Sequence, residues 1–142
     1  MRALIILFTV IGFTATAYAG AAESIDPCDG YGTSILISSE TSDLFLCRRN
    51  KSIENYTVSF GSKGMGKKRP GDRKTPVGSF RLGTPRKSAS QFGQFIPIHI
   101  PKRIGSAVGI HGPKRKWRWL GPLNVVTNWT AGCIAMASDS SM

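Results

Sequence analysis

Beyond the first nineteen residues, no apolar pattern of period 3.6 runs for three turns anywhere in this chain, which removes most helical architectures. Short runs rich in β-branched and aromatic residues take its place, at residues 34–38, 44–47 and 56–60. Turn chemistry separates them at residues 40–43 and 48–52, so the second and third runs are expected to pair as neighbours in a meander. Residues 61–74 read as a glycine- and lysine-rich loop, too polar to pack and too long for a hairpin turn. A strand entered through Pro76 is expected over residues 75–82, and two more over 95–100 and 107–111. Sixteen glycines and eight prolines in 142 residues punctuate these runs. The pattern predicts one β-rich, sandwich- or barrel-like domain with few short helices.

The first nineteen residues do not belong to that domain. Arg2 supplies a positive start, residues 3–13 are apolar apart from Thr9 and Gly12, and Ala17-Tyr18-Ala19 presents a small-x-small cleavage pattern. The apolar run is short of the roughly 20 residues that span a bilayer, so a cleaved signal peptide is read rather than a retained anchor. Residues 20–33 follow as a mobile leader, and residues 34–142 as the domain. Export to the periplasm or cell envelope is expected, with no stable membrane insertion after cleavage, and a monomer.

The formal net charge is +11, concentrated at Lys63, Lys67, Lys68, Arg69, Arg73 and Lys74, and again at Lys114, Arg115, Lys116 and Arg118. Charge of this kind attracts polyanions. No nucleic-acid-binding pattern accompanies it, and an exported protein is a poor candidate for nucleic acid. A wall peptide bearing free carboxylates suits both charge and compartment. Three cysteines are an odd number for an oxidising compartment, and one bridge plus one free thiol is the simplest arithmetic. Cys28–Cys47 is the natural pair, although spacing does not establish its geometry. No Cys-x-x-Cys pair or His-rich tract points to a structural metal.

Two segments carry chemistry. His111 ends an apolar strand and is followed by Gly112. Cys133 stands in the small-residue turn Thr130-Ala131-Gly132-Cys133, which leads into Ile134. Imidazole is the side chain suited to draw a thiol proton near neutral pH. A glycine just before the sulfur lets a carbonyl substrate approach, and the amides of Gly132 and Cys133 are the expected oxyanion donors. Each residue alone is ambiguous, because an apolar-flanked cysteine is more often inert packing. His99, among prolines and isoleucines, is the competing histidine and reads as structural.

His111-Gly112, then Thr130-Ala131-Gly132-Cys133-Ile134, together with Gly71-Asp72-Arg73-Lys74-Thr75-Pro76-Val77-Gly78-Ser79-Phe80 upstream, resemble the L,D-transpeptidase catalytic domain, or YkuD domain. The resemblance spans residues 34–142 and implies a mixed-sheet fold acting on peptidoglycan stem peptides without metal or organic cofactor. It implies Cys133 as nucleophile, His111 as base, and the Gly112 carbonyl as the group that orients the imidazole. Carbapenems would acylate Cys133. Trp129, Thr130, Lys114 and Arg115 are assigned to substrate contact, with Thr130 also holding its loop by its hydroxyl. Trp117 and Trp119 read first as framework.

Ala131 and Ala135 stand where many members carry histidine and arginine or asparagine, which marks a subgroup. The family domain continues beyond its cysteine into a helix and a last strand. Here Ser138-Asp139-Ser140-Ser141 reads as a helix cap followed only by Met142, so C-terminal truncation is expected. Two rival functions follow: a wall-peptide hydrolase using the same acyl-enzyme, and an inactive wall-binding module. A third, an unrelated cysteine protease, is disfavoured by the order of its residues.

Overall fold

The computed structural model describes residues 25–87, 92–105 and 107–137. The signal-peptide reading and the capping residues 138–141 lie outside them. Eight strands form one mixed, curled sheet: β1 Ser34–Ser38, β2 Asp43–Arg48, β3 Lys51–Ser59, β4 Arg81–Leu82, β5 Arg86–Lys87, β6 Gln94–His99, β7 Gly109–His111 and β8 Ile134–Met136. Their order is β1-β2-β3-β8-β7-β6-β4, with β5 also paired to β6. Every pairing between these strands is antiparallel except β7 with β8. Two 3-10 segments, Lys102–Ile104 and Arg115–Val125, are the helical elements among the described residues.

Alternation explains the sheet's two faces. Ile35 lies opposite Leu46, Ile37 opposite Leu44, Leu44 opposite Tyr56, Val58 opposite Met136, Ile110 opposite Ile134, and Ile96 opposite Ile110. All of these face one hydrophobic cluster, together with Phe60, Ile98 and Val108. A cleft of about 330 Å³ opens on this apolar face, lined among others by Ile35, Ile37, Phe60, Met65, Val77 and Phe80. The β2–β3 hairpin turns through Arg49 and Asn50, both at positive φ, as tight two-residue hairpins require. The meander expected from the sequence is therefore present.

Three expectations need correction. Residues 75–82 yield only the short β4, because Pro76 has no N–H for a ladder and Gly78 takes φ 138°. Thr75 instead bridges to Met65, and its hydroxyl accepts the Gly61 N–H at 2.8 Å. The loop over residues 61–74 does pack. Lys67 and Asp72 form an ion pair at 2.8 Å with side chains 4% and 10% exposed, so neutralisation lets the loop fold inward. The leader is pinned at Asp26 and Cys28. Asp26 accepts the N–H groups of Cys28 and Ser52, and Cys28 is buried and bridged to Cys47 with Cα atoms 5.5 Å apart.

The bridge closes a loop of sequence separation 19. Replacing both cysteines by serine is expected to lower stability by about 3 kcal/mol through the freed unfolded chain. Urea denaturation of the oxidised parent and the double variant measures it. An unchanged midpoint would show that the bridge constrains nothing.

Candidate active site

The parallel β7–β8 pair sets the geometry. Ile110 lies beside Ile134 and His111 beside Ala135, with both isoleucines facing the core. Alternation turns His111 to the opposite face, and Cys133, one residue before β8, to that same face beside Gly109. The two chemical side chains thus stand on neighbouring strands, offset by two residues. Contacts of the sulfur agree with this register. The Gly109 N–H lies where it favours the ionised sulfur, and the thiol donates to the Ala107 carbonyl at 3.6 Å. A side chain at position 109 would collide with the Phe95 ring at 2.4 Å, so glycine is needed where strand, ring and sulfur converge.

His111 is buried, and its Nδ1 lies 2.6 Å from the Gly112 carbonyl. A carbonyl only accepts, so Nδ1 carries the proton and Nε2 holds the free lone pair. Burial lowers the basicity of His111, the Gly112 carbonyl opposes that shift, and Lys114 adds to it. Burial likewise raises the Cys133 thiol, partly offset by the Gly109 N–H and the Lys67 ammonium. Both shifts favour a neutral imidazole beside a neutral thiol over a preformed ion pair.

Aromatic groups surround the histidine. Phe92 lies 4.3 Å from it, Trp129 5.8 Å edge-on, and Phe95 6.4 Å stacked, while Trp117 meets Trp129 at 5.2 Å. Trp129 donates its indole N–H to the Asn124 carbonyl at 2.8 Å, which fixes its ring. Lys114 places its ammonium over Trp117 at 4.6 Å and over Trp129 at 5.5 Å. Lys114 and Trp129 therefore join the wall of the site. Arg115 is exposed at the start of the 3-10 segment and does not share in that aromatic cluster. Trp119 points to solvent, and His99 sits on β6, beyond β7 from Cys133, packed over Gly83.

The turn that presents Cys133 is held from within. The Thr130 hydroxyl donates to the Cys133 carbonyl at 2.6 Å and accepts the Gly132 N–H at 3.1 Å. Thr130 is buried, so it holds the turn and offers no surface for substrate. Gly132 spends its amide on that same bond, which removes it from the expected oxyanion pair and leaves the Cys133 amide. Gly132 itself adopts φ 126°, and a Cβ there would meet the Lys74 carbonyl at 2.6 Å. Lys67, Asp72, Phe92, Phe95 and Gly109 were not assigned to the site from sequence. Asp72 did leave a signal: it is the single acid within the basic loop.

A family model, the L,D-transpeptidase catalytic domain (YkuD), matches residues 32–142. The chain belongs to the L,D-transpeptidase catalytic domain family. That membership supports a transpeptidase-type, peptidoglycan-related activity. No curated protein matches the chain.

The histidine is expected to titrate below its ordinary 6.5. Replacing Lys114 by glutamine removes a positive neighbour and should move the His111 titration upward. NMR titration of the ring protons follows both, and a downward move in the variant would contradict the electrostatics. Separately, Thr130→Val leaves the Gly132 amide and Cys133 carbonyl without their hydroxyl partner. It should cost about 1–3 kcal/mol in denaturant unfolding, and an unchanged stability would show the turn held by other means.

Proposed function

We propose that this protein is a cysteine-dependent L,D-transpeptidase of the cell wall. The observation that carries the reading is the placement of Cys133 and His111 on one face of a parallel strand pair. The imidazole tautomer there leaves Nε2 free, in a chain of this family. A peptidoglycan tetrapeptide stem would present the carbonyl between its third residue, a diamino acid, and its terminal D-alanine.

As the substrate carbonyl approaches, His111 Nε2 takes the thiol proton and the sulfur adds to the carbonyl carbon. Negative charge moves to the carbonyl oxygen, where the Cys133 amide is the donor we assign. Nδ1–H on the Gly112 carbonyl keeps the ring aligned and stabilises the imidazolium. The proton then passes to the leaving nitrogen, the amide bond breaks, and D-alanine departs from a thioester. An amine of a neighbouring stem attacks that thioester, gives its proton to His111, and regenerates the thiol. Water in place of the amine makes the same site a hydrolase. Every step uses protein groups alone, and Lys114 beside Trp117 and Trp129 is positioned to attract a stem carboxylate. Cleavage of residues 1–19 would deliver the enzyme to the periplasm or envelope, where this substrate lies.

Intact-mass spectrometry after carbapenem exposure should show one adduct on the parent and none on Cys133→Ala. With disaccharide tetrapeptide as donor and acceptor, chromatography should show D-alanine release and a cross-linked dimer. Tripeptide without dimer would assign the hydrolase. His111→Ala should slow turnover by about 10²–10⁴-fold, the usual worth of a positioned base. A folded parent that binds sacculi, takes no adduct and releases no D-alanine would overturn the reading in favour of a wall-binding module.

A further inference from the structure

Lys67 is a cation whose side chain is largely covered and has a defined place in the fold. Its ammonium meets Asp72 Oδ1 at 2.8 Å, and its side chain is only 4% exposed. Two glycines border it. A Cβ at Gly105 would lie 2.9 Å from Lys67 Cε, and one at Gly132 would lie 3.7 Å from Lys67 Nζ. The charged tip therefore reaches the back of the turn that presents Cys133.

Asp72 holds it there with unusual thoroughness. Oδ1 also accepts the Lys74 N–H at 3.1 Å, and Oδ2 accepts the N–H groups of Lys68 and Arg69 at 2.8 and 3.1 Å. Those donors keep the carboxyl well below the usual carboxylate range, with Lys67 the leading cause. The loop is further tied by the Lys67 and Gly66 N–H groups on the Thr75 carbonyl. Packing the loop inward is costly unless the buried charges are paired.

We propose that Lys67, fixed by Asp72, is a positioning residue for the acyl transfer: it stands behind the Gly132–Cys133 turn as the permanent positive charge for the Cys133 thiolate. The inference rests on Cys133 being the nucleophile, as proposed above. The proton that moves is the thiol's, to His111. The groups recorded around the sulfur, among the described residues, are few. The Gly109 amide comes from β7, the Ala107 carbonyl from the approach to it, and Lys67 from the long loop, while His111 stands two residues along on the neighbouring strand. Lys74 offers the turn its carbonyl, and Lys114 acts on His111. Lys67 is the cation whose charge reaches Cys133 and favours its ionised form.

Cys133 is the free thiol when Cys28 and Cys47 are bridged, so its ionisation is read directly from the pH dependence of iodoacetamide alkylation. Lys67→Met should shift the alkylation profile to higher pH and lower kcat/KM on the order of tenfold. Lys67→Arg should restore both in part. Asp72→Asn leaves the ammonium without its counter-charge and should shift the profile the opposite way, to lower pH. Should Lys67→Met fail to fold, this opposite shift is the deciding measurement. A Lys67→Met profile that overlays the parent would overturn the proposal. So would shifts of the same sign in Lys67→Met and Asp72→Asn, which would mark a disordered loop. Activity retained in Cys133→Ala would instead bring down the nucleophile assignment, whatever the alkylation profiles show.

Discussion

One pairing governs the site: two three-residue strands lying parallel in an otherwise antiparallel sheet. A parallel pair cannot be joined by a tight turn, so the chain between His111 and Ile134 must cross over. That crossover carries Lys114, Trp117 and Trp129 and lays them along the histidine. Ile110 and Ile134 hold the pair from beneath, and burial of each contributes about 1.5–3 kcal/mol. Loss of that hold would slide the register by a residue and turn either the histidine or the sulfur into the core.

The sheet keeps its two faces for different work. One buries isoleucine, leucine and valine and leaves an apolar cleft; the other carries the polar chemistry. Glycine is used on the chemical face where a side chain would obstruct. Gly109 admits the Phe95 ring and its N–H favours the ionised sulfur, and Gly132 lets the turn lie against the Lys74 carbonyl. Thr130 then locks that turn from inside with two hydrogen bonds. The result is a sulfur fixed by backbone rather than by its own side-chain neighbours.

Charge is organised on two scales. Across the whole chain the excess is +11. Around the sulfur the balance is local and fine. Burial disfavours both the thiolate and the imidazolium. Lys67 and Lys114 act on opposite members of the pair. The first makes the sulfur easier to ionise, while the second favours the neutral imidazole.

The sequence by itself determined the class of fold, because period-2 runs broken by glycine and proline can bury their apolar halves only as a sheet. It also offered His111 and Cys133 as candidates, each ambiguous alone and singled out only by the resemblance of their combined motifs to the family. The 75–82 strand was misread because alternation cannot register a missing N–H at Pro76 or the left-handed backbone at Gly78. Tertiary structure alone decided the rest. Which N–H groups stay free in the turn depends on a threonine hydroxyl folding back on Gly132. Which lysine has its side chain covered depends on Asp72 meeting it there. Both depend on the three-dimensional position of side chains, and nothing in the linear order of a basic loop separates a covered cation from a solvated one.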